Sequence, residues 1–213
     1  MKPPYWDDAT LALARADKVL RRIIRRHPDV HLRRRTDPFT ALARAIVGQQ
    51  ISVKAADSIW KRLLERSGCA SRAAFPRLDP ARVVALDDTV LREVGLSRSK
   101  ASYVRDLAQH FVSGKLDPKT WRRLDDETLI TLLTDVKGIG RWTAEMFLMF
   151  HEMRANVLPV ADIGLQKAVA LHYLDGRRPT AAELRALADK WQPYRSVATW
   201  YLWRSLDPIP VEY

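Results

Sequence analysis

Three places in this 213-residue chain carry residue types and spacings suited to chemistry. Gly138 and Gly140 separate two stretches of helical periodicity and are bracketed by Lys137 and Arg141. Glycines at such a turn adopt dihedrals closed to other residues and leave no side chain to obstruct a close approach. The amides of the turn and of the following helix N-terminus point outward as donors, and the helix dipole adds positive potential, so the turn suits a phosphate oxygen. The flanking cations add salt-dependent attraction for the same backbone. A G-x-G alone reads equally well as a tight helix–helix connection. The second place is Asp162, directly before an amphipathic stretch, where capping and the dipole favour the ionised carboxylate; from its neighbours alone it is a helix N-cap. The third is Gln49-Gln50-Ile51, which by itself reads as a polar helix end.

Helices must position all three. Period-3.6 patterning recurs along the chain and alternating β-branched runs are absent, which predicts an all-α fold. A first helix is expected from about Asp8 to His27, with Leu13, Leu20, Ile23 and Ile24 inward and Arg21, Arg22, Arg25 and Arg26 on a solvated face. Arg33, Arg34 and Arg35 follow in a loop. Asp37-Pro38 opens the next helix, and Ser52 caps a third that contains Trp60 and is ended by Gly68. Asp79-Pro80 and Asp87-Asp88 start two short helices, and a longer one runs from Ser97 to Val112. The hairpin spans 129–149: Asp125 caps a helix to Val136, and a new one runs from Arg141 to about Met153. Further helices follow Asp162, the capping box Thr180-Ala-Ala-Glu183, and Ser196. A single domain over 1–213 is expected, built of two helical subdomains, 37–150 and 1–36 plus 151–213, flanking a DNA-binding cleft.

Composition narrows the function classes. Thirty-six Lys and Arg against 25 Asp and Glu give a net charge of +11, which favours a polyanionic partner, nucleic acid first. The single Cys69 excludes an intramolecular disulfide framework and a Cys-ligated cluster held by this chain alone. No Walker-type loop or dinucleotide fingerprint is present, and the five histidines lack metal-ligand spacing. The N-terminal residues lack a signal-type apolar run and no 18-residue apolar stretch occurs. The chain is therefore expected to be soluble and cytoplasmic, associated with the nucleoid if bacterial, without membrane contact.

The segment Val136 to Glu145, VKGIGRWTAE, followed by Leu158 to Leu165, LPVADIGL, resembles the hairpin and Gly/Pro-Asp signature of the helix-hairpin-helix (HhH-GPD) DNA glycosylases. Ile46 to Ser52, IVGQQIS, Val94 to Ala101, VGLSRSKA, and Trp191 to Trp203, WQPYRSVATWYLW, are similar to the 3-methyladenine DNA glycosylase II branch, in its compact form lacking an N-terminal β domain. The resemblance runs in order over about 37–206.

It implies a monomeric enzyme that flips alkylated purines out of double-stranded DNA and hydrolyses the glycosidic bond, 3-methyladenine first and 7-methylguanine second. Asp162 matches the catalytic aspartate: bond cleavage develops positive charge on the sugar, which an ionised carboxylate stabilises. Trp142 and Trp203 match positions of the base pocket, with Tyr201 nearby and Met146 where the best-known member has a tyrosine; a cationic alkylpurine stacks well on indole. Lys137, Gly138, Gly140, Arg141 and Thr143 fall at the DNA backbone, and Gln49, Gln50 and Ile51 at the minor-groove wedge, with Gln50 as the plug. In endonuclease III-like relatives a Schiff-base lysine follows the Gly-x-Gly-Arg element; here Trp142 stands there, so base release without strand cleavage is expected. No cofactor or metal is required, and a monovalent cation at the hairpin carbonyls is compatible with the motif. The alternatives are a non-catalytic DNA-binding module and a bifunctional glycosylase/lyase.

Overall fold

The computed structural model describes residues 2–28, 30–32, 37–73 and 75–206; Arg33, Arg34 and Arg35 lie outside the described residues. Among the described residues every regular element is helical, as the periodicity predicts. The α-helices are α1 (Trp6–Ala16), α2 (Lys18–Arg26), α3 (Pro38–Gly48), α4 (Val53–Arg66), α5 (Pro80–Val84), α6 (Asp88–Glu93), α7 (Arg98–Val112), α8 (Asp126–Thr134), α9 (Arg141–Phe150), α10 (Ile163–Tyr173), α11 (Ala181–Ala188) and α12 (Arg195–Leu206). Short 3-10 turns at Trp121–Arg123 and Asp189–Trp191 were not legible in the periodicity. No helix is long and apolar enough to cross a membrane among the described residues.

Local sequence sets most helix starts. Asp37, Ser52, Ser97, Asp125 and Asp162 each accept a backbone N–H of the first turn, satisfying a donor that the helix itself cannot. The capping box at Thr180 and Glu183 forms with both of its bonds. The first predicted helix is corrected: α1 and α2 are separate, broken at Asp17, which adopts an extended conformation (φ −140°, ψ 117°). That break lets Asp17 cap α2 through Val19 and Leu20 while its second oxygen accepts from Tyr173 Oη (2.7 Å) and Trp191 Nε1 (3.0 Å). These distant partners leave no periodic trace. The hairpin helices are also shorter than expected. α8 stops at Thr134 and α9 at Phe150, after which the Arg154 N–H turns back to the Leu148 carbonyl.

The chain forms two compact units, Met1–Arg34 with Leu148–Tyr213, and Arg35–Phe147, the division falling within α9. In the first unit α1, α2, α10, α11 and α12 enclose Trp6, Leu13, Leu20, Leu165, Trp191 and Tyr201. In the second, α7 packs against α3, α5 and α6. A run of edge-to-face rings, Phe39, Phe111, Trp121 and Phe147, with centroids 5.2–6.1 Å apart, fills its interior.

Candidate functional site

In the first unit, the Asp162 carboxylate is the N-cap of α10. Its Oδ1 accepts the Leu165 N–H at 2.6 Å and the indole Nε1–H of Trp203 at 2.8 Å. Only 8% of the residue is exposed. One of these bonds is local, the other comes from α12, 41 residues on, and together they fix the carboxylate plane. The Trp203 ring stacks on Phe150 at 5.8 Å with 12° between planes, which sets the indole that sets the acid. Gly164 makes the pairing sterically feasible, since a Cβ there would lie 3.0 Å from Trp203 Cδ1 and Nε1 and 3.1 Å from Asp162 Oδ1. The sequence motif contained this glycine without revealing its neighbours. Such a carboxylate is positioned to stabilise a developing cation or orient a water.

Tyr201, expected beside a base, is instead a core residue, 1% exposed and enclosed by Trp6 and Trp200. Positions 201 and 203 are two apart, hence roughly on opposite faces of α12; only one of them can face the site. Trp203 does.

In the second unit, Gly138 has φ +83°, and a Cβ there would fall 2.2 Å from the Tyr103 ring. The fold itself requires that glycine. Gly140 differs: nothing lies within 4 Å of a Cβ built on it. The Lys137 N–H donates to Asp106 Oδ2 (2.9 Å), so α7 buttresses the hairpin through Tyr103 and Asp106. One helical turn along α7, His110 Nε2 lies 3.2 Å from Asp135 Oδ2. The first amide to donate within α9 is Ala144, to the Gly140 carbonyl. The amides of Arg141, Trp142 and Thr143 precede that bond and have no acceptor inside the helix, as at any helix start. Trp142 is 40% exposed, while Met146, one turn later, is 6% exposed. Lys137 is exposed. Arg141 makes a bidentate pair with Glu127 and a further bond to Glu145 (3.0 Å), which raise its pKa further. Its charge is therefore partly neutralised where a phosphate contact is expected.

Gln49, Gln50 and Ile51, expected as the wedge, fall at the connection between α3 and α4. Gln49 Nε2 donates to the Gly138 carbonyl at 2.9 Å, linking this loop to the hairpin. Gln50, exposed, has φ +57°, and Ile51 is 38% exposed. Lys100, quoted in the motif without a role, donates to the carbonyls of Val47 and Gln49. No group of three or more His, Cys, Asp or Glu suited to a metal occurs among the described residues.

The chain has known counterparts. The crystal structure of a DNA-3-methyladenine glycosidase from Bacillus halodurans superposes with a TM-score of 0.82 at 35% identity, covering 92% of this chain and 87% of that one. A Schizosaccharomyces pombe 3-methyladenine DNA glycosylase, solved with abasic DNA, gives 0.77 at 29% identity, covering 93% and 96%. The Bacillus subtilis protein YfjP is 31% identical over 169 residues, 79% of this chain; the chain spans 59% of YfjP's length. Residues 43–193 match the family model of the HhH-GPD superfamily base excision DNA repair proteins. Because that match covers well over half of the chain, from within α3 past Asp162, the chain belongs to the HhH-GPD superfamily of base excision DNA repair proteins.

Proposed function

We propose that this protein is a DNA N-glycosylase that flips alkylated purines, 3-methyladenine first and 7-methylguanine second, from duplex DNA and releases them by hydrolysis. The observation that carries the reading is the buried Asp162 carboxylate, pinned by the Leu165 amide and the Trp203 indole. Relatives named as 3-methyladenine glycosylases support the substrate class.

A base stacked in a duplex hides its glycosidic bond, so the nucleotide must leave the helix before reaction. The hairpin amides and Lys137 hold the backbone, while Gln50 and Ile51 occupy the emptied position in the stack. The exposed Trp142 offers its indole face to a cationic purine, whose charge strengthens stacking and weakens the bond to the sugar. As that bond breaks, the pair of electrons leaves with the base and positive charge grows on the sugar. Asp162 stabilises this charge electrostatically and orients the water that adds to the anomeric carbon, taking up its proton. The products are a free base and an abasic site. Trp142, in place of a Schiff-base lysine, argues for release without strand cleavage. The protein acts as a monomer in the cytoplasm.

The test is incubation with methylated duplex DNA and mass spectrometry of the released bases. Free 3-methyladenine is the expected product, with no adduct trapped by borohydride. Tight binding without base release would leave a DNA-binding module; a trapped adduct would make the enzyme a lyase as well.

A further inference from the structure

The loop after α3 is held in a conformation that its own sequence does not favour. Gln50 sits in the left-handed region (φ +57°), a conformation that costs a non-glycine residue about 1 kcal/mol and persists only where the surroundings impose it. Two contacts impose it. Lys100, in the first turn of α7, reaches Val47 O at 2.8 Å and Gln49 O at 2.6 Å. These carbonyls close α3, where acceptors lack helical partners and the dipole is negative, so an ammonium both satisfies and neutralises them. Gln49 spends its side-chain amide on Gly138 O, 89 residues away in sequence. Partial burial lowers the Lys100 pKa, in keeping with an ammonium drawn toward these two carbonyls.

We propose that Lys100 is the positioning residue of the Gln49–Ile51 loop, and that Gln49 is the strut joining this loop to the hairpin, leaving Gln50 and Ile51 to enter the base stack. This rests on the glycosylase reading above. A plug pushed into stacked DNA must keep its backbone shape under load, and here that shape is fixed before binding. Phosphate grip and plug then move as one piece, so that capturing the backbone delivers the plug at a set depth. In a chain of net charge +11 this lysine serves the loop and not the phosphates.

The experiment compares single-turnover base release by wild type, Lys100→Met and Gln49→Leu on two duplexes. One carries 7-methylguanine opposite cytosine; the other carries it opposite an abasic analogue, where flipping is cheaper and no partner base needs a plug. Both variants should lose about tenfold on the first substrate and under about threefold on the second, the loss expected of a misplaced but intact loop. Affinity of Lys100→Met for undamaged duplex should stay within about twofold, because the carbonyls that Lys100 holds belong to α3 and its loop and not to the hairpin. Equal losses on both duplexes overturn the proposal. Circular dichroism checks folding. Should Lys100→Met fail to fold, Lys100→Gln, which keeps a neutral donor, is measured for the same ratio, and its unfolding too would mark Lys100 as a residue of general stability and overturn the proposal. A wild-type protein that releases base from neither duplex, and no 3-methyladenine from methylated DNA, refutes the glycosylase reading itself and takes this proposal with it.

Discussion

The carboxylate site of the first unit and the two loops proposed to meet DNA in the second are held in opposite ways. Asp162 is fixed first by its own helix: the Leu165 amide three residues on would engage it in any context, and Trp203 refines the angle. The Gln49–Ile51 loop and the hairpin are fixed by strangers, with Lys100 gripping the carbonyls at the end of α3, Gln49 reaching Gly138, and Asp106 accepting from Lys137. A short-range anchor gives a carboxylate a permanent address. Long-range anchors let surface loops keep a strained shape without a core of their own.

The comparison breaks most sharply at Asp162. Asp162→Asn keeps a good N-cap, so melting temperature should hardly move, while base release from methylated duplex falls roughly 10³-fold or more and duplex affinity persists; an active variant would remove the carboxylate from the mechanism. Gly164→Ala tests the refinement supplied by Trp203. Its methyl displaces the indole or the acid by a few tenths of an ångström, and release should slow about 10- to 100-fold with stability preserved, since alanine favours a helix.

Asp17 shows what a carboxylate does in the first unit when it is purely structural. Burial alone would raise its pKa, but the donors Trp191, Tyr173 and Lys190 outweigh this and hold it below its ordinary value. A folded pKa below the unfolded one gives stability that is complete above about pH 4 and is lost as pH falls through the folded value. Asp17→Asn should therefore cost about 1–3 kcal/mol at neutral pH, read from urea midpoints, with the gap to wild type closing in acid. Activity per folded molecule should be unchanged.

The hairpin supplies the finest contrast. Gly138→Ala forces an alanine into positive φ against the Tyr103 ring and should destabilise by roughly 1–2 kcal/mol. Gly140→Ala meets nothing in the protein, so the melting temperature should hold while duplex affinity drops a few-fold. Equal melting temperatures for the two variants would mean that the fold needs neither glycine.

Much of this was legible in advance where the signal is local. Caps at Asp37, Ser52, Ser97, Asp125, Asp162 and Thr180 are short-range hydrogen-bond patterns, and each governs a helix start that the structure contains. The break at Asp17 lies inside a continuous hydrophobic period, and Tyr173 and Trp191, more than 150 residues away, are the partners of its second oxygen. Tyr201 misled because an aromatic near a site in sequence need not share its face of a helix. Arg141 reads from the sequence as a cation beside the hairpin, while its pairing with Glu127, 14 residues away, comes only from the fold.

The sequence by itself determined an all-helical chain, its caps, its basic character and the string of motifs that carries the family, because these depend on residue type and on spacings of a turn or two. Only the tertiary structure decided which glycine the fold needs and which it leaves open, why Gly164 must be small, and that Lys100 and Gln49 brace a strained loop. Those are facts about what stands next to what across tens of residues, and distance in space is not encoded by distance along the chain.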